Sequence, residues 1–490
     1  MLLGYPSLTQ QDFELAFPGL RGIENGLYIA DDWRVNDKLT LNIGLRWDYY
    51  SPYSEVANRI ANFDPATATM QVAGQNGVSS TAGVQSDWKD FGPRFGFAYQ
   101  AATHTVIRGG FGLFYNPNGN GGTYLRGERT LPFGPVYLQS PSDTFVTGPG
   151  APTTFSQGFP APPVINLAAA ANPSGALLGT INSFKAAYAE QMNFTIEQEI
   201  TPIQGMLRMG YVGNLGRRLD TTFNINQPVP GPGATGPRRP YYSINPKITD
   251  VTFDVSDGDS NYHAFQVSFD KRLVHGLTAL AGYTWAHSID NVGTVFGGGT
   301  GTPQDPRCRS CDRGNSAFDI RHRFTASFTY QIPGFRNKGI TGILLGNWQT
   351  NGLVQVQTGL PFTPQLNSTT VNTGTASRPN CLAGPVPPFH QSLREWFNPA
   401  QFVTPPLYTY GNCGRDILYG PGRWNWDQSV FKNFPVTERV NLELRFEAFN
   451  VFNHPQFGQP NATIGSSQAG IINSIVGNPR DLQIAAHLTF

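Results

Sequence analysis

From Leu39 to Tyr49 the chain alternates without a break. Leu39, Leu41, Ile43, Leu45, Trp47 and Tyr49 share one face, while Thr40, Asn42, Gly44, Arg46 and Asp48 share the other. A side-chain period of two is that of a β-strand, whose successive residues point to opposite sides of a sheet. The same pattern returns along the chain. After a first strand at Gly26–Arg34 it appears at Phe95–Tyr99, Ile107–Tyr115, Met192–Ile200, Leu207–Tyr211, Phe265–Phe269 and Leu277–Trp285. It continues at Phe324–Ile332, Trp348–Val356, Trp424–Lys432, Val440–Ala448 and Leu482–Phe490. That makes roughly thirteen strands, with segments such as Ile248–Val255 ambiguous.

Each strand has one apolar and one polar face, so the question is what the apolar face meets. Charged residues make up 14% of the chain and aromatic residues 12%, against roughly 25% charged in ordinary soluble domains. The net charge of +1 gives no bulk attraction for nucleic acid. No apolar run reaches the length of about 18 residues that a membrane helix needs, which leaves a β-barrel as the way to span. Strands of about ten alternating residues suit that role. Trp47 and Tyr49 stand at the end of an apolar band, where an interfacial girdle belongs, and Tyr283 and Trp285 are expected at the same level.

Connections sort in the same direction. Short turns, such as Asn36–Lys38, Ala102–Thr103, Thr201–Gln204 and His275–Gly276, alternate with long Gly- and Pro-rich segments. With the terminal Phe490 at the periplasmic rim, every short turn falls on the periplasmic side and every long loop outside. A soluble propeller or sandwich gives no reason for that asymmetry. The expected fold is all-β, an antiparallel transmembrane barrel, and its long loops Asn116–Ala187 and Pro361–Arg423 are expected to hold substrate contacts.

The stretch Tyr419–Pro460 contains Gly420-Pro421-Gly422, Trp426-Asp427 and the run from Arg445 to Pro455. It resembles TonB-dependent receptors of the Oar-like type. Tyr28-Ile29-Ala30-Asp31-Asp32-Trp33 is similar to that family's F-x-Q-D-D-W strand, with Ala30 in place of Gln. Pro93–Gly96, Tyr211–Asn214, Asn261–Ala264, Tyr283–Trp285 and Phe318–Phe324 match further barrel blocks in the family's order. The closing strand on Phe490 also resembles that of bacterial outer-membrane barrels.

The resemblance implies a barrel of about 22 strands in the bacterial outer membrane, filled by a plug and driven by the TonB system through a short N-terminal box. Neither plug, box nor carboxypeptidase-regulatory-like domain is recognisable here, and Met1–Asp12 does not read as a secretory signal. The expectation is therefore the C-terminal portion of a receptor barrel over residues 26–490, preceded by a loop remnant at residues 1–25. Its partners would be outer-membrane lipid, an extracellular substrate of unknown identity, and the TonB system through a plug absent from this chain. The alternative is an adhesion or structural barrel that conducts nothing.

Motifs for chemistry are sparse. Cys308 and Cys311 have the spacing of a local disulfide, a redox pair or half a zinc site, with a disulfide preferred over free thiols and metal. Cys381 and Cys413 bracket one external loop, and a disulfide closing it is favoured. Gly231, Gly233 and Gly236 match G-x-G-x-x-G formally, but Pro232 and Pro237 interrupt it and no strand-then-helix frame surrounds it. The Gly297–Gly299 run lacks a lysine to reach phosphate. Arg323, Glu443, Arg445 and Glu447 are expected on the lumen side, where the charges of Glu443–Glu447 would pair with Arg323, Arg46 or Glu197 of other strands. His287, His322 and His454 are dispersed, and no nucleophile, base and orienting group can be nominated, so the chain does not read as an enzyme and needs no cofactor or metal.

Overall fold

The structure is a computed structural model. It describes residues 9–13, 15, 17–116, 127, 129–139, 156, 158, 161–292, 303–334, 339–367, 369–375, 377–383, 390–437 and 439–490. One sheet of 15 strands dominates it. Thirteen of these follow one another in space in chain order: β1 (Glu24–Arg34), β2 (Leu39–Tyr50), β3 (Asp90–Ala102), β4 (Thr105–Asn116), β5 (Ala187–Ile200), β6 (Gly205–Asn224) and β7 (Ile248–Val274). The path continues through β8 (Leu277–Asp290), β9 (His322–Ile332), β10 (Trp348–Gln357), β11 (Arg423–Pro435), β12 (Asn441–Phe449) and β13 (Asp481–Thr489). Every neighbouring pair on this path is antiparallel. Gly175–Thr180 and Gly314–Asn315 join at the sides of β7 and β8.

The registers keep like faces together. Ile43 stands opposite Phe95, Phe95 opposite Phe111, Phe194 opposite Tyr211, Tyr211 opposite Phe265, and Phe265 opposite Trp285. This apolar face is left open: Ile43 is 49% exposed, Phe265 43% and Phe446 45%, the reverse of a water-soluble sheet. On the polar face Glu197 lies 3.4 Å from Arg108 and 3.7 Å from Arg208, and Asn42 donates to Asp32.

One rim carries tight turns. Asn36 Oδ1 accepts from the backbone N–H of Lys38 and Leu39 at 2.8 and 2.9 Å, an Asx turn that closes the first hairpin. His275 and Gly276 connect β7 to β8 with φ of 52° and 76°, the two positive values that a two-residue hairpin of matching twist requires. A Cβ at position 276 would stand 2.6 Å from the carbonyl oxygen of Gln331, so glycine is required there on two counts. The opposite rim carries the longer connections, and the turn rim has one of intermediate length, between β9 and β10.

The structure corrects three readings. The strands read as Leu207–Tyr211 and Phe265–Phe269 are longer, because β6 extends to Asn224 and β7 begins at Ile248. With 27 residues, β7 far exceeds the roughly ten that cross a membrane, so its first half projects as an arm beyond the rim. A bulge at Arg217 and Arg218, the latter at φ 53°, marks where the register shifts. The turn before β10 contains a short helix, Ile340–Leu345. Tyr49, expected to lie open in a girdle, is 7% exposed because Trp88 folds back onto it with ring centroids 3.7 Å apart, while Trp47 Nε1 donates to the Trp88 carbonyl at 2.9 Å.

Arg in place of Ile43 should destabilise the inserted sheet by about 2–4 kcal/mol, whereas Arg at Val35 on the turn rim should cost about 0–1 kcal/mol. Equilibrium unfolding in lipid measures both. Equal costs at the two positions would show that the face carrying Ile43 does not meet hydrocarbon.

Candidate functional site

The fully buried side chains gather at the long-connection rim. Phe63, Leu177, Ile248 and Val251 are each at most 1% exposed and belong to a core built from loop segments and the arm of β7. Ala61–Asp64 and Thr69–Val72 form a hairpin, and Gly175–Thr180 runs parallel to the outer half of β7. Asn62 joins these pieces. Its Nδ2 donates to the Thr180 carbonyl at 2.8 Å and its Oδ1 accepts from the Thr180 N–H at 2.7 Å, so one side-chain amide does the work of a ladder partner. Glu55, 3% exposed, accepts backbone N–H bonds from Gly19, Ala57 and Arg59 at 2.7–3.0 Å. Burial alone would raise its pKa; the three donors outweigh burial and hold it below the ordinary 4.5.

A second core lies in the loop between β10 and β11 and the loop before β13, around Phe362, Phe397, Phe402, Cys413 and Ile464. Cys381 and Cys413 are bonded across it, Cα atoms 5.0 Å apart. Gln365–Leu366 pairs in parallel with Thr463–Ile464 and ties the two loops together.

Buried polar groups couple the pieces. Gln227 Nε2 donates to the Gln304 carbonyl at 3.0 Å and to the Tyr410 hydroxyl at 3.1 Å. Gln304 in turn donates to the Gly411 carbonyl and accepts from the Arg378 N–H. Arg378 pairs with Asp312 at 2.7 Å, both under 10% exposed. Arg415 pairs with Asp290 at the end of β8 and donates to the carbonyls of Asp290, Val292 and Asp312. Burial raises the pKa of Asp312 and of Asp416 and lowers that of Arg378. Cys308 and Cys311 are bonded next to this clamp, Cα atoms 5.3 Å apart, bracketing the turn that presents Asp312. The loops thus form a folded cap.

The polar face is concave. Thr195, Glu197, Arg208, Gln266, Thr284 and Arg323 line a hollow of about 550 Å³, and the Arg323 guanidinium has no ion pair or hydrogen bond among the described residues. Arg445 pairs with Glu443 on its own strand and lies over the Phe431 ring, and among the described residues none of Glu443, Arg445 and Glu447 makes the expected pair with Arg323, Arg46 or Glu197. The reason is register: the residues opposite Arg445 are Phe431 and Ala485, which offer no charge. Glu447 lines another hollow with Asp427 and Leu353. Phe490, 97% exposed, follows the last residue of β13. Gly231, Gly233 and Gly236 lie in a loop with a three-residue helical turn, Gly236–Arg238, and no strand-then-helix frame. Gly297–Gly299 and parts of both expected capture loops lie outside the described residues. No group of three His, Cys, Asp or Glu able to hold a metal occurs among the described residues. Sequence reasoning missed the cap's polar couplings, because Gln227, Gln304 and Tyr410 carry no local signal.

The family model described as "Outer membrane beta barrel domain" matches residues 1–483. Among curated protein sequences, none matches the chain. Among solved structures the chain is similar to the outer membrane transporter YddB from Escherichia coli, with 11% identity over 96% of this chain and 45% of that one, TM-score 0.49. It is also similar to the pyoverdine outer membrane receptor FpvA from Pseudomonas aeruginosa, at 11% identity over 96% and 42%, TM-score 0.45. The siderophore receptor PiuA from Acinetobacter baumannii gives 10% identity over 96% and 43%, TM-score 0.44. The chain spans under half the length of these solved proteins.

Replacing Arg415 by Ala leaves buried Asp290 without its partner and should cost about 3–5 kcal/mol of cap stability. Faster amide exchange in residues 303–321 and 358–422, with the sheet still protected, is the expected result; unchanged exchange would mean the clamp holds nothing. The cap's pH response has two signs. Asp312 and Asp416, raised above the ordinary 3.8, favour the folded cap fully below that value, and this contribution is lost as pH rises through their raised values. Glu55 works the other way: its contribution is present above 4.5 and lost as pH falls through its lowered value. At fixed neutral pH, Glu55→Gln should speed amide exchange at Ala57 and Arg59, and unaltered exchange there would rule out the anchoring role.

Proposed function

The chain belongs to the outer membrane beta barrel domain family, and on that premise we propose that it is a receptor and transporter barrel that captures an extracellular substrate at its loop cap. Its place is the bacterial outer membrane. The observation that carries the reading is the division of labour between the rims. One rim is closed mostly by tight turns, while the other carries a folded cap above a concave polar face. Loops held by two disulfides and two buried Arg–Asp pairs keep a fixed shape, which is what binding at a rim requires.

The barrel itself is proposed to be larger than this sheet. β1 and β13 stand at its two ends and, with eleven alternating strands between them, run in the same sense. Antiparallel closure then takes an odd number of further strands, supplied by more sequence or by another chain. A barrel of about 22 strands, as the resemblance to TonB-dependent receptors implies, leaves about nine, which is odd. Asp31 supports this reading. It sits on the apolar face opposite Ile43, exposed and with its carboxylate making no hydrogen bond or ion pair among the described residues, and a carboxylate facing hydrocarbon calls for a neighbour. Energised uptake would come from a plug and the TonB system acting on the complete barrel.

The test uses the full-length protein in cells. Removing residues 378–413 should abolish both capture and uptake of the ligand while the barrel still folds, and loss of the TonB system should abolish uptake while leaving surface binding intact. Uptake indifferent to both changes would favour an adhesion or structural barrel instead.

A further inference from the structure

Five of the six connections on the turn rim have two to five residues, but the one between Ile332 and Trp348 has 15. Its helix, Ile340–Leu345, holds no charged residue and presents Ile340, Ile343, Leu344 and Leu345 at 51–75% exposure. Four large aliphatic side chains open to water on one turn of backbone are unfavourable, and nothing of the kind occurs among the described residues in the other turns of this rim. Where the helix is attached says what covers it. Trp348 Nε1 donates to the Leu344 carbonyl at 2.9 Å, and Lys432 Nζ donates to the carbonyl of Gly346. Trp348 stands opposite Ile332 on one side and Lys432 on the other. All three belong to the apolar face by register, Ile332 with Phe328 and Tyr330, Trp348 with Val354 and Val356, Lys432 opposite Leu444.

We propose that the Ile340–Leu345 helix is an in-plane anchor that inserts its aliphatic side chains among the lipids of the leaflet next to the turn rim. The surface it offers is continuous with the apolar band through Ile332 and Trp348. Trp348 supplies the amphipathic side chain expected at a headgroup boundary, and buried Lys432 ties the end of the helix to the wall. The indole lies between apolar band and helix, and the Lys432 ammonium is held over the Trp348 and Phe434 rings at 5.2 and 5.0 Å. The anchor fixes the depth of the strands on either side, β9 and β10.

This rests on the apolar face of the barrel standing in lipid, and the experiment separates the two ideas. Single variants Ile343→Cys, Ile340→Cys and Leu444→Cys of the full-length protein are labelled with bimane under non-reducing conditions and reconstituted in phosphatidylethanolamine and phosphatidylglycerol vesicles. Lipids carrying a nitroxide near the headgroup and aqueous iodide serve as quenchers. The anchor is supported if labels at 340 and 343 shift to the blue, lose emission to the lipid nitroxide and are spared by iodide, as the label at 444 on the barrel wall is. Quenching at 340 and 343 by iodide alone, with 444 still lipid-quenched, overturns the anchor and leaves the barrel reading standing. Quenching by neither agent means protein covers the helix and overturns it as well. Loss of lipid quenching at 444 overturns both.

Discussion

In hydrocarbon every backbone N–H and C=O must find a partner within the protein, since each one left unpaired costs several kcal/mol. The rest of the architecture follows from that requirement. Strands joined by the two- to five-residue turns pair with their sequence neighbours because such a turn can deliver only an antiparallel neighbour. The ladders between β5 and β6 and between β9 and β10 run from end to end without a register shift. The one bulge in β6 lies at Arg217 and Arg218, beyond the apolar band, where water and side chains can satisfy what the ladder leaves open. The same requirement makes the two edge strands the least settled part of the sheet, with Ile29 73% and Ile484 80% exposed.

A second consequence is where burial occurs. Lipid removes the incentive to bury apolar side chains inside the sheet, so the side chains that pack tightly do so outside the membrane. Phe63, Leu177 and Val251 on one side of the cap and Phe362, Phe397 and Phe402 on the other behave as ordinary cores. Around them, amide and guanidinium groups take the place of sheet ladders. Asn62 completes Thr180, Gln304 joins two loops, and Arg415 closes over the end of β8. Buried charge pairs of this kind contribute little net stability against a well-packed apolar alternative, but breaking one is costly, so they fix the arrangement of the loops. A cap of fixed shape over a polar concavity is the physical basis of the proposed capture function.

The sequence by itself determined the strands and the sorting of their faces. Period-two alternation is a local property, visible in eleven residues such as Leu39–Tyr49, and lipid on one side with polar lumen on the other makes the contrast sharper than in a soluble sheet. The alternation of short and long connections was legible for the same reason. The arm of β6 and β7 was not, because Ile248–Gly258 mixes Asp250, Asp254 and Asp257 into the run and its apolar residues pack against a loop rather than lipid. Tertiary structure alone decided the cap. Gln227 meets Tyr410 across 183 positions and Arg415 meets Asp290 across 125, Trp88 turns back onto Tyr49, and Arg445 settles for Glu443 because the strands beside it bring Phe431 and Ala485. Such contacts depend on which loops the ladder brings together on one rim, and no local period encodes that.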